Sequence, residues 1–66
     1  MQGTVKWFDK VKGYGFISSA QGDVFVHFKE VKTIVNGRAD LADGQKVNFE
    51  IEEGAKGMQA VNVTVL

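Results

Sequence analysis

Tyr14 and Phe16 stand two residues apart, as do Phe25 and His27, and a β-strand sends residues i and i+2 to the same face. Each pair therefore forms a row of rings, and two rows on paired strands make a flat aromatic platform. A soluble domain normally hides such surface, so a ring-bearing face with lysines nearby calls for a partner with flat faces and an anionic backbone. Single-stranded nucleic acid has both properties. The chemistry is stacking, not bond-making. The chain has one histidine, His27, no cysteine and no converging carboxylate pair, which leaves no general acid–base or nucleophilic set, and it has no P-loop. No enzymatic activity and no cofactor are expected. His27 has no partner at metal-ligand spacing, so the expectation is no metal and an imidazole that stacks on or hydrogen-bonds a base, a contact that would vary with pH.

The elements that must hold these rings are five short β-runs. Thr4–Phe8 is followed by the polar stretch Asp9–Gly13, and Tyr14–Ser18 by a turn at Ala20–Gly22. Asp23–Phe28 precedes a long irregular segment. In Lys46–Ile51, apolar Val47, Phe49 and Ile51 alternate with polar residues, and after a turn at Glu53–Gly57 comes Gln59–Val65. Little looks helical. Five antiparallel strands in so short a chain are expected to curl into a small barrel, which also removes exposed edges. The expected inward set is Val5, Ile17, Val24, Val26, Val47, Phe49, Ile51, Val61 and Val63, with Gly15 inward where a missing side chain permits tight curvature. Strict alternation puts Val5 and Trp7 on one face although Trp7 suits the outside: either a bulge separates them or Trp7 is core. The same alternation would bury Phe28 with Val24 and Val26, and Phe8 also has a core reading.

The 66 residues are expected to form one domain, 1–66, near the lower size limit for a fold without disulfides or metal. No apolar run approaches the ~18 residues of a membrane span and the N-terminal stretch does not resemble a signal peptide, so no membrane partner and a cytoplasmic location are expected. Eight Lys plus Arg balance eight Asp plus Glu, yet the distribution is uneven. Residues 1–16 carry three lysines against one aspartate, a local balance of +2, while residues 40–53 carry five carboxylates against Lys46, a local balance of −4. If the first stretch lines the platform, one face suits phosphate; ordinary solvated faces would give the same counts.

Lys6-Trp7-Phe8, Lys12-Gly13-Tyr14-Gly15-Phe16-Ile17 and Asp23-Val24-Phe25-Val26-His27-Phe28 resemble, in order and spacing, the nucleic-acid-binding signature of the cold-shock domain. The resemblance runs through Gly44-Gln45 and Gly57 to Gln59–Thr64. It implies an all-β, five-stranded antiparallel OB-fold barrel that binds single-stranded RNA and DNA, acts as an RNA chaperone and regulates transcription or translation in the cold-shock response. The segment at Lys12 also opens like an RRM motif, but an RRM needs two amphipathic helices that this chain lacks, and its last aromatic would fall at Ser19.

On that reading Trp7, Tyr14, Phe16, Phe25, His27 and Phe28 offer rings to bases, with Phe8 in the same signature, and Asp23 either hydrogen-bonds a base edge, as the matching family position implies, or simply ends a turn. Each stacked base contributes roughly 1–3 kcal/mol. Lys6, Lys12 and Lys56 would neutralise phosphates; two or three such contacts imply a log–log salt slope of about −1.4 to −2. Residues 29–44 lack the aromatic that bacterial cold-shock proteins commonly carry there; Arg38 could stack in its place, or Ile34 and Val35 could cap the barrel. Met58 stands where the family often has proline. A monomer is expected, with exchange of the last two strands between two chains, hinged on the long loop, as the alternative. A second functional reading is a small barrel that takes a proline-rich peptide on its aromatic face; the lysines around the rings argue against it.

Overall fold

The computed structural model describes residues 1–32, 34–35, 38–39, 41–54 and 57–66, with 34–35 and 38–39 described by their backbone alone. The strands are β1 (Gln2–Asp9), β2 (Tyr14–Ser19), β3 (Gly22–His27), β4 (Ile34–Val35), β5 (Arg38–Ala39), β6 (Lys46–Gly54) and β7 (Gly57–Val65), with one 3₁₀ turn at Phe28–Glu30. Five of them close a barrel in the order β1-β2-β3-β7-β6. This is the expected all-β fold with one correction: β3 and β7 pair in parallel, Phe25 opposite Gln59 and Val26 opposite Ala60, while the other barrel pairings are antiparallel. The segment read as irregular contains the short antiparallel pair β4-β5.

A bulge resolves the ambiguity in β1. Val5 lies opposite Ile17 but Trp7 lies opposite Phe16, so Lys6 is the extra residue and the alternation resets. Val5 and Phe8 point into the core while Lys6 and Trp7 both point out. The backbone of Val5 bonds the turn before β6 instead: its N–H donates to the Gln45 carbonyl at 2.8 Å and its carbonyl accepts from Gly44 N–H at 2.7 Å.

A second bulge corrects β7. Asn48 lies opposite Thr64 and Glu50 opposite Val61, which leaves one extra residue in β7, where Asn62 takes a left-handed φ of 53°. Ala60 and Val63 are therefore the buried residues, and Val61, expected inside, is half-exposed. The Glu30 carboxylate accepts from Asn62 N–H at 3.4 Å, over the bulge.

The core comprises Val5, Phe8, Ile17, Val24, Val26, Val31, Leu41, Val47, Phe49, Ala60 and Val63, with Ile51 and Val65 partly buried against it. Val31, bridged to Val63, and Leu41 extend the core from the long connection after β3. The expectation that Ile34 and Val35 cap the barrel concerns side chains outside the described residues. Gly15 sits where the barrel bends: a Cβ there would meet the Trp7 carbonyl oxygen and lie 2.7 Å from Phe8 Cα, so no larger residue fits without shifting β1.

Candidate nucleic-acid interface

The β1 bulge sets the outer face. By turning Trp7 outward opposite Phe16, it brings the indole to 5.5 Å from the Phe16 ring and 6.0 Å from Tyr14, centroid to centroid. Phe25 lies opposite Phe16 on β3 and stands 5.8 Å from its ring and 5.9 Å from Tyr14. Trp7, Tyr14, Phe16 and Phe25 thus form one contiguous cluster across three strands. The rings are tilted against each other by 31° to 78°, so the expected flat platform is a corrugated surface. Edge-to-face contacts of this kind stabilise the rings mutually while leaving faces open.

His27 and Phe28 form a second unit, their rings 4.6 Å apart. Strict alternation would have buried Phe28. The strand ends at His27, however, and the 3₁₀ turn beginning at Phe28 rotates its side chain outward to 46 % exposure. His27 Nδ1 accepts from Lys29 N–H at 3.3 Å, which leaves Nε2 as the protonated nitrogen of the neutral ring. Phe28 N–H donates to the Gly13 carbonyl at 2.8 Å, and the Phe28 ring lies over Gly13, whose φ is +81°. The β1–β2 turn that carries Gly13 is itself fixed by Asp9, whose carboxylate accepts from Val11 N–H at 2.9 Å and Lys12 N–H at 3.0 Å.

Phe8 requires a correction. Its side chain is 9 % exposed within the core, on the far side of β1 from Trp7, because the bulge restores inward orientation at Phe8. It supports the face from beneath and offers no ring to a base. Lys12 is exposed in the β1–β2 turn, two residues before Tyr14, and Lys6 is exposed but paired with Asp23, Nζ donating to Oδ2 at 2.8 Å. The Arg38 side chain and Lys56 lie outside the described residues. Tyr14, Phe16, Asp23, Phe25 and Met58 line a groove of about 420 Å³. Sequence reasoning missed Met58 because it reaches the face through the long-range β3-β7 pairing; its only signal was its departure from the family's usual proline.

The acidic strand borders the groove at its β7 side. Glu50, Glu52 and Glu53 are exposed on β6, which pairs with β1 and β7, and Glu53 lies opposite Met58. Among the described residues no group of three or more His, Cys, Asp or Glu could hold a metal ion, and no helix is long and apolar enough to cross a membrane.

The sequence model of the 'Cold-shock' DNA-binding domain matches residues 1–66. The chain belongs to the cold-shock domain family. It is 58 % identical over 66 residues to a "Major cold shock protein" of Streptococcus pyogenes serotype M18, covering 98 % of this chain and 96 % of that one. It is 53 % identical over 68 residues to "Cold shock-like protein CspA" of Vibrio cholerae, covering 100 % of this chain and 94 % of the relative. Among solved structures, "drosophila Unr CSD456" superposes with a TM-score of 0.72 at 27 % identity, over 98 % of this chain and 26 % of that one. This cold-shock domain is thus a nucleic-acid-binding OB-fold barrel and not an enzyme.

Proposed function

We propose that this cold-shock domain binds single-stranded RNA and DNA with low sequence specificity by stacking bases on Trp7, Tyr14, Phe16, Phe25, His27 and Phe28. The observation that carries the reading is the contiguity of the four-ring cluster on β1–β3, with the His27–Phe28 pair on the adjoining turn. A duplex hides its base faces, so stacking selects the single strand without any clash. Lys12 neutralises phosphate from the β1–β2 turn, and Asp23 accepts a hydrogen bond from a base edge. Arg38 and Lys56 are further candidates for backbone contact.

Because the protein captures only unpaired bases, it draws a weak hairpin toward its open form by mass action. It is an RNA chaperone that needs no ATP, works in the cytoplasm as a monomer and, as the names of its relatives support, regulates transcription or translation in the cold-shock response. A fluorophore–quencher RNA hairpin tests this directly. Fluorescence rises with protein concentration in the absence of any nucleotide and falls when oligothymidine is added as competitor. A hairpin that stays closed while the protein binds it as a duplex would contradict the proposal.

A further inference from the structure

We propose that Met58 is the β7 wall of the base-binding groove and a modification site at which oxidation of its thioether weakens single-strand binding. The inference rests on the proposed function. Met58 immediately precedes Gln59, which pairs with Phe25 across the parallel β3-β7 contact, so the groove continues beyond the three aromatic strands onto β7. Met58 lines it together with Tyr14, Phe16, Phe25 and Asp23 and is itself 37 % exposed. One boundary of the groove is therefore an accessible, unbranched and polarizable side chain opposite three rings. A thioether adapts to the plane of a base and makes favourable contact with aromatic faces.

The thioether of so exposed a residue is within the chemistry of a hydroperoxide. The Sγ lone pair attacks one oxygen of hydrogen peroxide; the O–O bond breaks, an S–O bond forms, and the other oxygen leaves as water after proton transfer. Sulfur is oxidised by two electrons and the peroxide reduced by two. The sulfoxide is polar, chiral and hydrated. It places a second acceptor in a groove where the Asp23 carboxylate already supplies acceptors, and it removes the apolar surface on which a base would rest.

The composition makes the effect assignable. The chain has two methionines and no cysteine. Met1 is 48 % exposed but sits against β6, its carbonyl accepting from Phe49 N–H at 2.8 Å and its amine donating to Asn48 Oδ1 at 3.3 Å, and it does not line the groove.

The test is titration of the wild-type protein with oligothymidine before and after hydrogen peroxide, with mass spectrometry locating the added oxygen and thermal unfolding recorded on the same samples. Oxidation is expected to reduce affinity by roughly two- to twelvefold, the range of a sulfur–aromatic contact. The unfolding midpoint stays in place, and treatment with the two methionine sulfoxide reductases restores binding. Met58→Leu, which keeps Met1, binds somewhat more weakly than wild type and no longer responds to peroxide. Unchanged affinity of the Met58-oxidised protein, a peroxide response that persists in Met58→Leu, or a loss that tracks unfolding would overturn the proposal. Failure of the untreated protein to bind oligothymidine would overturn the proposed function, and this inference with it.

Discussion

Lys6 on β1 and Asp23 on β3 join across the full width of β2, the lysine Nζ donating to Asp23 Oδ2 at 2.8 Å. The β1 bulge makes this possible by swinging Lys6 outward beside Trp7. Both residues have roles in the proposed binding, one toward phosphate and one toward a base edge, and in the free protein each occupies the other. At 55 % and 46 % side-chain exposure, the pair contributes only about 0–1 kcal/mol to stability. Its effect is on how much positive charge the face offers.

Asp23→Asn releases Lys6 while keeping an acceptor oxygen. The log–log salt slope for oligothymidine binding is expected to steepen by about 0.7, the value for one more neutralised phosphate on a single strand. The unfolding free energy should change by less than about 1 kcal/mol. An unchanged slope, measured over a sodium chloride series, would mean that Lys6 does not reach phosphate even when unpaired.

Phe8 and Phe16 separate support from contact. Phe8→Ala removes a core ring at 9 % exposure and should cost about 3–5 kcal/mol, enough to unfold much of so small a domain. Phe16→Ala loses its ring contacts with Trp7 and Phe25, worth about 0.5–1.5 kcal/mol each, and lowers single-strand affinity by about 1–3 kcal/mol. Chemical denaturation and oligothymidine titration of both variants check the pair. A Phe8→Ala protein that stays folded and binds weakly would show the assignment to be inverted.

Gly13→Ala combines two penalties. The residue would hold a φ of +81°, and its Cβ would lie 2.7 Å from Phe28 Cδ1. The backbone strain alone costs about 1–2 kcal/mol. The Phe28 ring must also move, so affinity falls along with the unfolding midpoint. Retained affinity in a destabilised Gly13→Ala would remove Phe28 from the contact surface.

Mass in solution gives a further check. The proposed monomer predicts a single 7.2 kDa species by light scattering at micromolar concentration. A species of twice that mass would support exchange of β6 and β7 between chains.

Much of the fold was legible because alternation is a local signal: Ile17, Val24, Val26, Val47 and Phe49 are buried as the period-two pattern requires. The misplaced residues all follow an interruption of that pattern. Val61 was expected inside because the extra residue at Asn62 leaves no mark in residue types. Trp7 and Phe8 could be resolved only by the register around Lys6, and Phe28 only by the turn that ends β3. The long-range features were the least readable. The Lys6–Asp23 pair joins strands that are not neighbours, and Met58 enters the groove through a parallel pairing that no sequence period announces.

Trp7 is the only tryptophan, and it sits in the four-ring cluster, so its emission reports on the surface in question. The most direct test is titration with a short oligothymidine and with a duplex of equal length, following that emission at two salt concentrations. The account predicts strong quenching by the single strand alone, with weak salt dependence. Equal binding of the duplex, or no response to either ligand, would contradict it.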